Sequence, residues 1–110
     1  MGHRFVYVTV PTLELARSMS RALIEERLAA CVNILPGMQS IYRWNGAIEE
    51  ATEVVLILKT QAGLLDLLTD RVRALHPYTC PCVAALQVEP GNPDYFAWLT
   101  AETARPPGAG

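Results

Sequence analysis

Residues 40–60 read SIYRWNGAIEEATEVVLILKT, and the register of this stretch decides the fold. Asn45-Gly46 is the strongest two-residue hairpin signal a sequence carries, because both central positions of a type I′ turn need positive φ. That turn predicts Trp44 opposite Ala47, Tyr42 opposite Glu49 and Ile41 opposite Glu50. The return strand then runs into VVLIL, residues 54–58. The outgoing strand is traced back through MQSIYRW to CVNIL at residues 31–35, with Pro36 and Gly37 bending or bulging it between the two. The result is a long hairpin that carries Ile41, Tyr42 and Trp44 on its outer part, where a chain of 110 residues has little to pack against them.

Upstream, RFVYVTV (residues 4–10) is aromatic and β-branched enough for a strand, and Pro11 stops it. Thr12 offers an N-cap and Glu14 suits the positive end of the helix dipole. Leu15, Ala16, Met19, Ala22 and Leu23 then recur at helical spacing, with Glu14, Arg17, Arg21 and Glu25 on the opposite face. Downstream, Leu64, Leu68, Val72 and Leu75 mark a second helix. It ends near His76, because Pro77 disfavours helical geometry in the residue before it. VAALQV (83–88) is a fourth strand, and EPGNP turns the chain. Asn92 and Pro93 open a terminal helix through Tyr95, Trp98 and Leu99.

The order βαββαβ plus a helix is the split βαβ, or ferredoxin-like, arrangement of the α+β class: an antiparallel sheet with both long helices on one face. One domain spans 1–104, and the Pro/Gly-rich 105–110 reads as a flexible tail. FVYV, VVLIL and VAAL are apolar at nearly every position, which is the pattern of strands buried on both faces. The terminal helix covers only part of the second face. Tyr42 and Trp44 each have ~150–250 Å² to bury. Leaving them half exposed forgoes a few kcal/mol at roughly 25 cal/mol per Å². A homo-oligomer is therefore expected.

Composition narrows the function classes. Nine Lys plus Arg are scattered singly and the net charge is −2, so nucleic acid is not an expected partner. The apolar run before Pro11 is too short to cross a bilayer or direct export, and Val6 stands where myristoylation of Gly2 wants Ser or Thr. No membrane association is expected. Three cysteines, an odd number, point away from a disulfide framework and toward a reducing, cytoplasmic setting. No dinucleotide fingerprint, P-loop or nucleophile elbow is present. Glu49, Glu50 and Glu53 read as solvated or subunit-pairing charges, so no enzyme is expected.

The blocks ERLAACVNILPGMQSIYRWNGAIEE, EVVLILKT, ALHPYTCP and GNPDYFAWL, in that order across about residues 26–99, resemble the CutA family of divalent-ion tolerance proteins. The resemblance implies a ferredoxin-like fold assembled as a homotrimer laced by long hairpins, with the architecture of PII signalling proteins. It also implies a link to tolerance of copper and other divalent metals without a defined enzymatic activity. Some eukaryotic relatives are linked to assembly or anchoring of another protein. A rival reading is a non-enzymatic PII-like signalling or scaffold trimer, whose intersubunit clefts take a small ligand or whose surface docks a partner protein. By that analogy Tyr42, Trp44, Lys59, Tyr78 and Trp98 are placed at the intersubunit cleft.

The candidate metal ligands are Cys31, His76, Cys80 and Cys82. No resident cofactor is required; Cu(I), Cu(II) or another divalent metal is the expected ligand. Cys80-Pro81-Cys82 lacks the spacing of a structural zinc site, yet an extended Pro81 points both thiols to one side, as a two-thiolate Cu(I) site needs. The alternative is that they are small apolar fillers. Cys31 matches a cysteine typical of the family, where the resemblance implies metal contact, but it reads more strongly as a buried residue at a helix-to-strand junction. Val8 stands where certain bacterial members carry a second cysteine. Cys82 stands where relatives commonly carry Glu, which favours thiol over carboxylate chemistry. His76 reads either as a ligand or as a ring capping the last carbonyls of its helix. His3, third from the amino terminus, offers a square-planar Cu(II) or Ni(II) site that removal of Met1 weakens.

Overall fold

Successive residues of each strand point to opposite faces of the sheet, and the two faces are unequally buried. The computed structural model of the chain describes residues 2–105. Its elements are β1 (His3–Val10), α1 (Leu13–Glu25), β2 (Cys31–Trp44), β3 (Ala47–Gln61), a 3-10 turn at Ala62–Leu64, α2 (Leu65–Leu75), β4 (Val83–Gln87) and α3 (Pro93–Glu102). The strands lie in the order β2-β3-β1-β4, every neighbouring pair antiparallel. This is the expected α+β, ferredoxin-like order. Residues 106–110, most of the expected tail, lie outside the described residues.

Val6, Val8 and Val10 of β1 pair with Leu58, Leu56 and Val54 of β3, and all six point to the helix face. Ala16, Met19 and Leu23 of α1 and Leu68 and Val72 of α2 close over them, each fully or almost fully buried. Burying such a side chain contributes about 1.5–3 kcal/mol, so this layer supplies the main driving force for folding. Thr12 caps α1 by accepting from the amide of Leu15, and Asn92 caps α3 by accepting from that of Asp94. His76 ends α2 in extended geometry (φ −88°, ψ 136°), as the residue before a proline must.

The hairpin register is the one the turn predicts: Trp44 with Ala47, Tyr42 with Glu49, Ile41 with Glu50. Asn45 and Gly46 both have positive φ (50° and 81°). Between Leu35 and Met38 the register shifts, so Pro36 and Gly37 stand against the single residue Val54. This one-residue bulge exchanges the faces of β2. Before it Cys31, Asn33 and Leu35 share a face with Val55, Ile57 and Lys59; after it Tyr42 and Trp44 do.

The second face is covered at one end by α3. Leu99 is fully buried there, Gln61 donates to the hydroxyl of Thr103 (2.7 Å), and the Lys59 ammonium lies 5.3 Å from the Phe5 ring centroid and 6.0 Å from that of Tyr95. Elsewhere this face is open: Leu35 and Leu86 are 47 % and 59 % exposed. On the other side of the hairpin arm Ile41 and Ile48 are nearly bare, at 69 % and 68 %. Among the described residues no helix is long and apolar enough to cross a membrane.

A Cβ at Gly46 meets nothing within 4 Å, yet its backbone sits at φ +81°. Gly46→Ala is therefore expected to lower stability by about 1–2 kcal/mol through conformation alone. Gly46→Asn, which tolerates this geometry, restores most of it; urea denaturation of both variants checks the difference.

Candidate functional site

The open face sinks into a cleft of about 750 Å³ where the hairpin arm and the connection from α2 to β4 meet the sheet. β1 supplies Tyr7 and Thr9, the hairpin supplies Ser40, Tyr42 and Trp44, β3 supplies Glu53, and the connection supplies Tyr78, Cys80 and Cys82. The strand parities explain the gathering. Tyr7 and Thr9 pair with Ile57 and Val55, two residues in step with Glu53, and the bulge brings Tyr42 and Trp44 to that same side. Ala84 pairs with Tyr7, so Cys82, two residues earlier, approaches the same face.

Of the residues named from sequence, the cleft unites Tyr42, Trp44, Tyr78, Cys80 and Cys82. It leaves out Lys59, held against Phe5 and Tyr95, and Trp98, which borders a separate depression with Ile24, Arg27 and Glu102. Cys31 is half-buried opposite Lys59 at the start of β2, and does not line the cleft. The three cysteines carry free thiols. His3 bonds to the hydroxyl of Thr100 (2.8 Å) and packs on Phe96 (5.1 Å between ring centroids), so its ring is engaged by α3. Met1, which the amino-terminal copper reading also involves, lies outside the described residues.

His76 does something neither of its two sequence readings anticipates. Its Nδ1 accepts from the amide of Tyr78 (3.1 Å), which leaves the proton on Nε2 to donate to the carbonyl of Thr9 (2.7 Å). Both ring nitrogens thus bind backbone, Nε2 that of strand β1 and Nδ1 that of the connection after α2, and neither bonds to the last carbonyls of α2. The buried ring also packs against the Tyr78 ring, centroids 4.7 Å apart, and so orients the cleft from beneath.

Glu53 is not the solvated charge that one of its two sequence readings made it. Glu49 and Glu50 are exposed as expected, but Glu53 is only 8 % exposed, and the Tyr78 hydroxyl donates to its Oε2 at 3.4 Å. Counting parity back from the turn puts Glu53 in step with Val55 and Ile57, and that signal would have found it. Burial, the Glu53 charge, the hydrogen bond to it and the Tyr42 hydroxyl, in that order, push the Tyr78 phenol up. Burial and then the same carboxylate push the Cys82 thiol up. Cys82 is therefore held as a thiol rather than primed as a thiolate.

Two measurements follow from this geometry. His76→Ala strands the Thr9 carbonyl and the Tyr78 amide and is expected to cost about 1–3 kcal/mol in urea denaturation. Glu53→Gln removes one of the two causes that raise the Cys82 thiol. The pH profile of Cys82 alkylation by iodoacetamide, followed by mass spectrometry in a Cys80→Ser background, should shift to lower pH without losing the part due to burial; an unmoved profile refutes the assignment.

The geometry can be set beside known proteins. Residues 4–102 match the family model of the CutA1 divalent ion tolerance protein. The chain is 51 % identical over 98 residues to the divalent-cation tolerance protein CutA of Thermus thermophilus, covering 89 % of this chain and 95 % of that one. It is 50 % identical over 93 residues to the protein CutA of Mus musculus, covering 84 % of this chain but only 52 % of the mouse protein, so it spans about half the length of that relative. Among solved structures, the Thermus thermophilus protein superposes with a TM-score of 0.90 at 49 % identity, covering 93 % of this chain and 99 % of that chain. A CutA from Archaeoglobus fulgidus, described as a periplasmic divalent cation tolerance protein, does so with 0.90 at 40 %, covering 93 % and 99 %. A match that runs from the first strand through the terminal helix, at this identity, makes the chain a member of the CutA1 divalent ion tolerance family.

Proposed function

We propose that this chain works as a cytoplasmic homotrimer in tolerance to divalent metal ions, copper foremost, taking the metal as cargo and catalysing no reaction. The observation that carries the reading is the presence of Cys80 and Cys82 in one cleft, both exposed and both free thiols. Soft thiolates select copper, above all Cu(I), over the hard oxygen-seeking ions. Cys31 lies on another part of the open face, and the ring nitrogens of His76 are engaged with backbone, so the site rests on Cys80 and Cys82. Metal loading releases the Cys82 proton against the field of Glu53, so affinity rises with pH.

Assembly is supported by the surface left over. Leu35 and Leu86 on the open face, and Ile41, Trp44 and Ile48 on the hairpin arm, are large apolar side chains left about half or more exposed. Packing copies of the sheet together around the arms buries both sets. The free thiols fit a reducing compartment.

Native mass spectrometry of the metal-free protein, before and after copper is added under reducing conditions, tests both halves. The expected species has three times the 12.1 kDa subunit mass and gains whole numbers of copper per subunit. Cys80→Ser with Cys82→Ser abolishes the gain while Cys31→Ser leaves it. A trimer that retains no copper would move the function to a PII-like signalling or scaffold role, and a monomer would overturn the assembly.

A further inference from the structure

The segment that carries Cys80 and Cys82 is short and is held at both ends. Downstream, Val83 opens β4 and pairs with Val8 of β1. That ladder stops there, and the carbonyl of Thr9, the next residue of β1, accepts from Nε2 of the buried His76 instead (2.7 Å). Upstream, Nδ1 of the same ring accepts from the amide of Tyr78 (3.1 Å), and the two rings pack with centroids 4.7 Å apart. A side chain thus continues the ladder past its last strand pair and seats the connection on the sheet. Between Tyr78 and Val83 lie only Thr79, Cys80, Pro81 and Cys82, and the ring of a proline holds φ at about −65°. With both ends fixed and the middle stiffened, the chain keeps little freedom to vary the spacing of the thiols.

We propose that His76 is the positioning residue of the Cys80–Cys82 pair: by tying the upstream end of their segment to β1 it presets the spacing of the two sulfurs. The inference deepens the metal reading and rests on it for the ligand. Two thiolates that hold one Cu(I) must both reach the ion, and a pair set in advance binds without first ordering the chain. Binding forms two Cu–S bonds and releases the two thiol protons. The tie needs a side chain that donates at one atom and accepts at another, as imidazole does with its proton on Nε2. Lysine and arginine only donate and an ionised carboxylate only accepts, whereas glutamine offers both functions. Every bond of the tie lies within one chain, so it belongs to the subunit whatever the neighbouring subunits cover.

The test compares His76→Ala, His76→Gln and Met19→Ala in a Cys31→Ser background, where Cys80 and Cys82 are the remaining thiols. Met19 is buried in the core under α1, so truncating it destabilises the fold without removing the tie. Two probes are used. One is Cu(I), competed with bathocuproine disulfonate in the absence of oxygen. The other is phenylarsine oxide, which condenses with two neighbouring thiols to form two As–S bonds and one water. His76→Ala is expected to weaken both by about tenfold or more, with stoichiometry and assembly unchanged in native mass spectra. His76→Gln recovers most of the loss, and Met19→Ala binds both probes as tightly as the parent. Circular dichroism verifies folding; should His76→Ala fail to fold, His76→Phe fills the ring's volume without its nitrogens and takes its place. Full affinity for the arsenical in the folded His76 variant, or an equal loss in Met19→Ala, would overturn the proposal. A parent that binds the arsenical but no copper, with the loss in His76→Ala intact, overturns the metal reading alone. A parent that captures neither probe overturns both.

Discussion

One extra residue in β2 determines what this surface can do. Side chains on a strand alternate with a period of two, so inserting a single residue reverses every face beyond it. Pro36 and Gly37 standing against Val54 perform that reversal, and Gly37 supplies the positive φ (80°) at the bend. Without the bulge, Tyr42 and Trp44 would continue the face of Val32 and Ile34, toward the helices. With it they join Tyr7, Val55 and Glu53, and the cleft acquires its aromatic wall.

The open face is then divided between two kinds of cover. α3 seals one end through Leu99 and Thr103, both buried, and through the Lys59 ammonium lodged between aromatic rings. That arrangement occupies the one lysine placed at the cleft by analogy and leaves the cleft acidic. The other end lies open beneath the hairpin arm, whose tip carries apolar residues on both sides: Tyr42 and Trp44 on one, Ile41 and Ile48 on the other. An arm apolar on both sides has the character of an element built to lie between surfaces rather than on one.

Much of this was legible in the sequence, for reasons that can be named. Asn45-Gly46 fixed the turn type and therefore three cross-strand pairs; Thr12, Asn92 and Pro77 marked helix ends through capping and backbone restriction. Cys80 and Cys82 were read as metal ligands and Tyr42, Trp44 and Tyr78 as lining an intersubunit cleft, whereas within one chain all five line the same cleft. What was not legible depended on side chains meeting across elements. Trp98 and Lys59 were assigned to an intersubunit cleft by analogy; within one chain Trp98 borders a separate depression and Lys59 lies against the Phe5 and Tyr95 rings. His76 was judged by its position at the end of α2, whereas its partner is the carbonyl of Thr9, 67 residues away. Glu53 was grouped with Glu49 and Glu50 as a run of charges, although its parity and distance from the turn set it among buried neighbours.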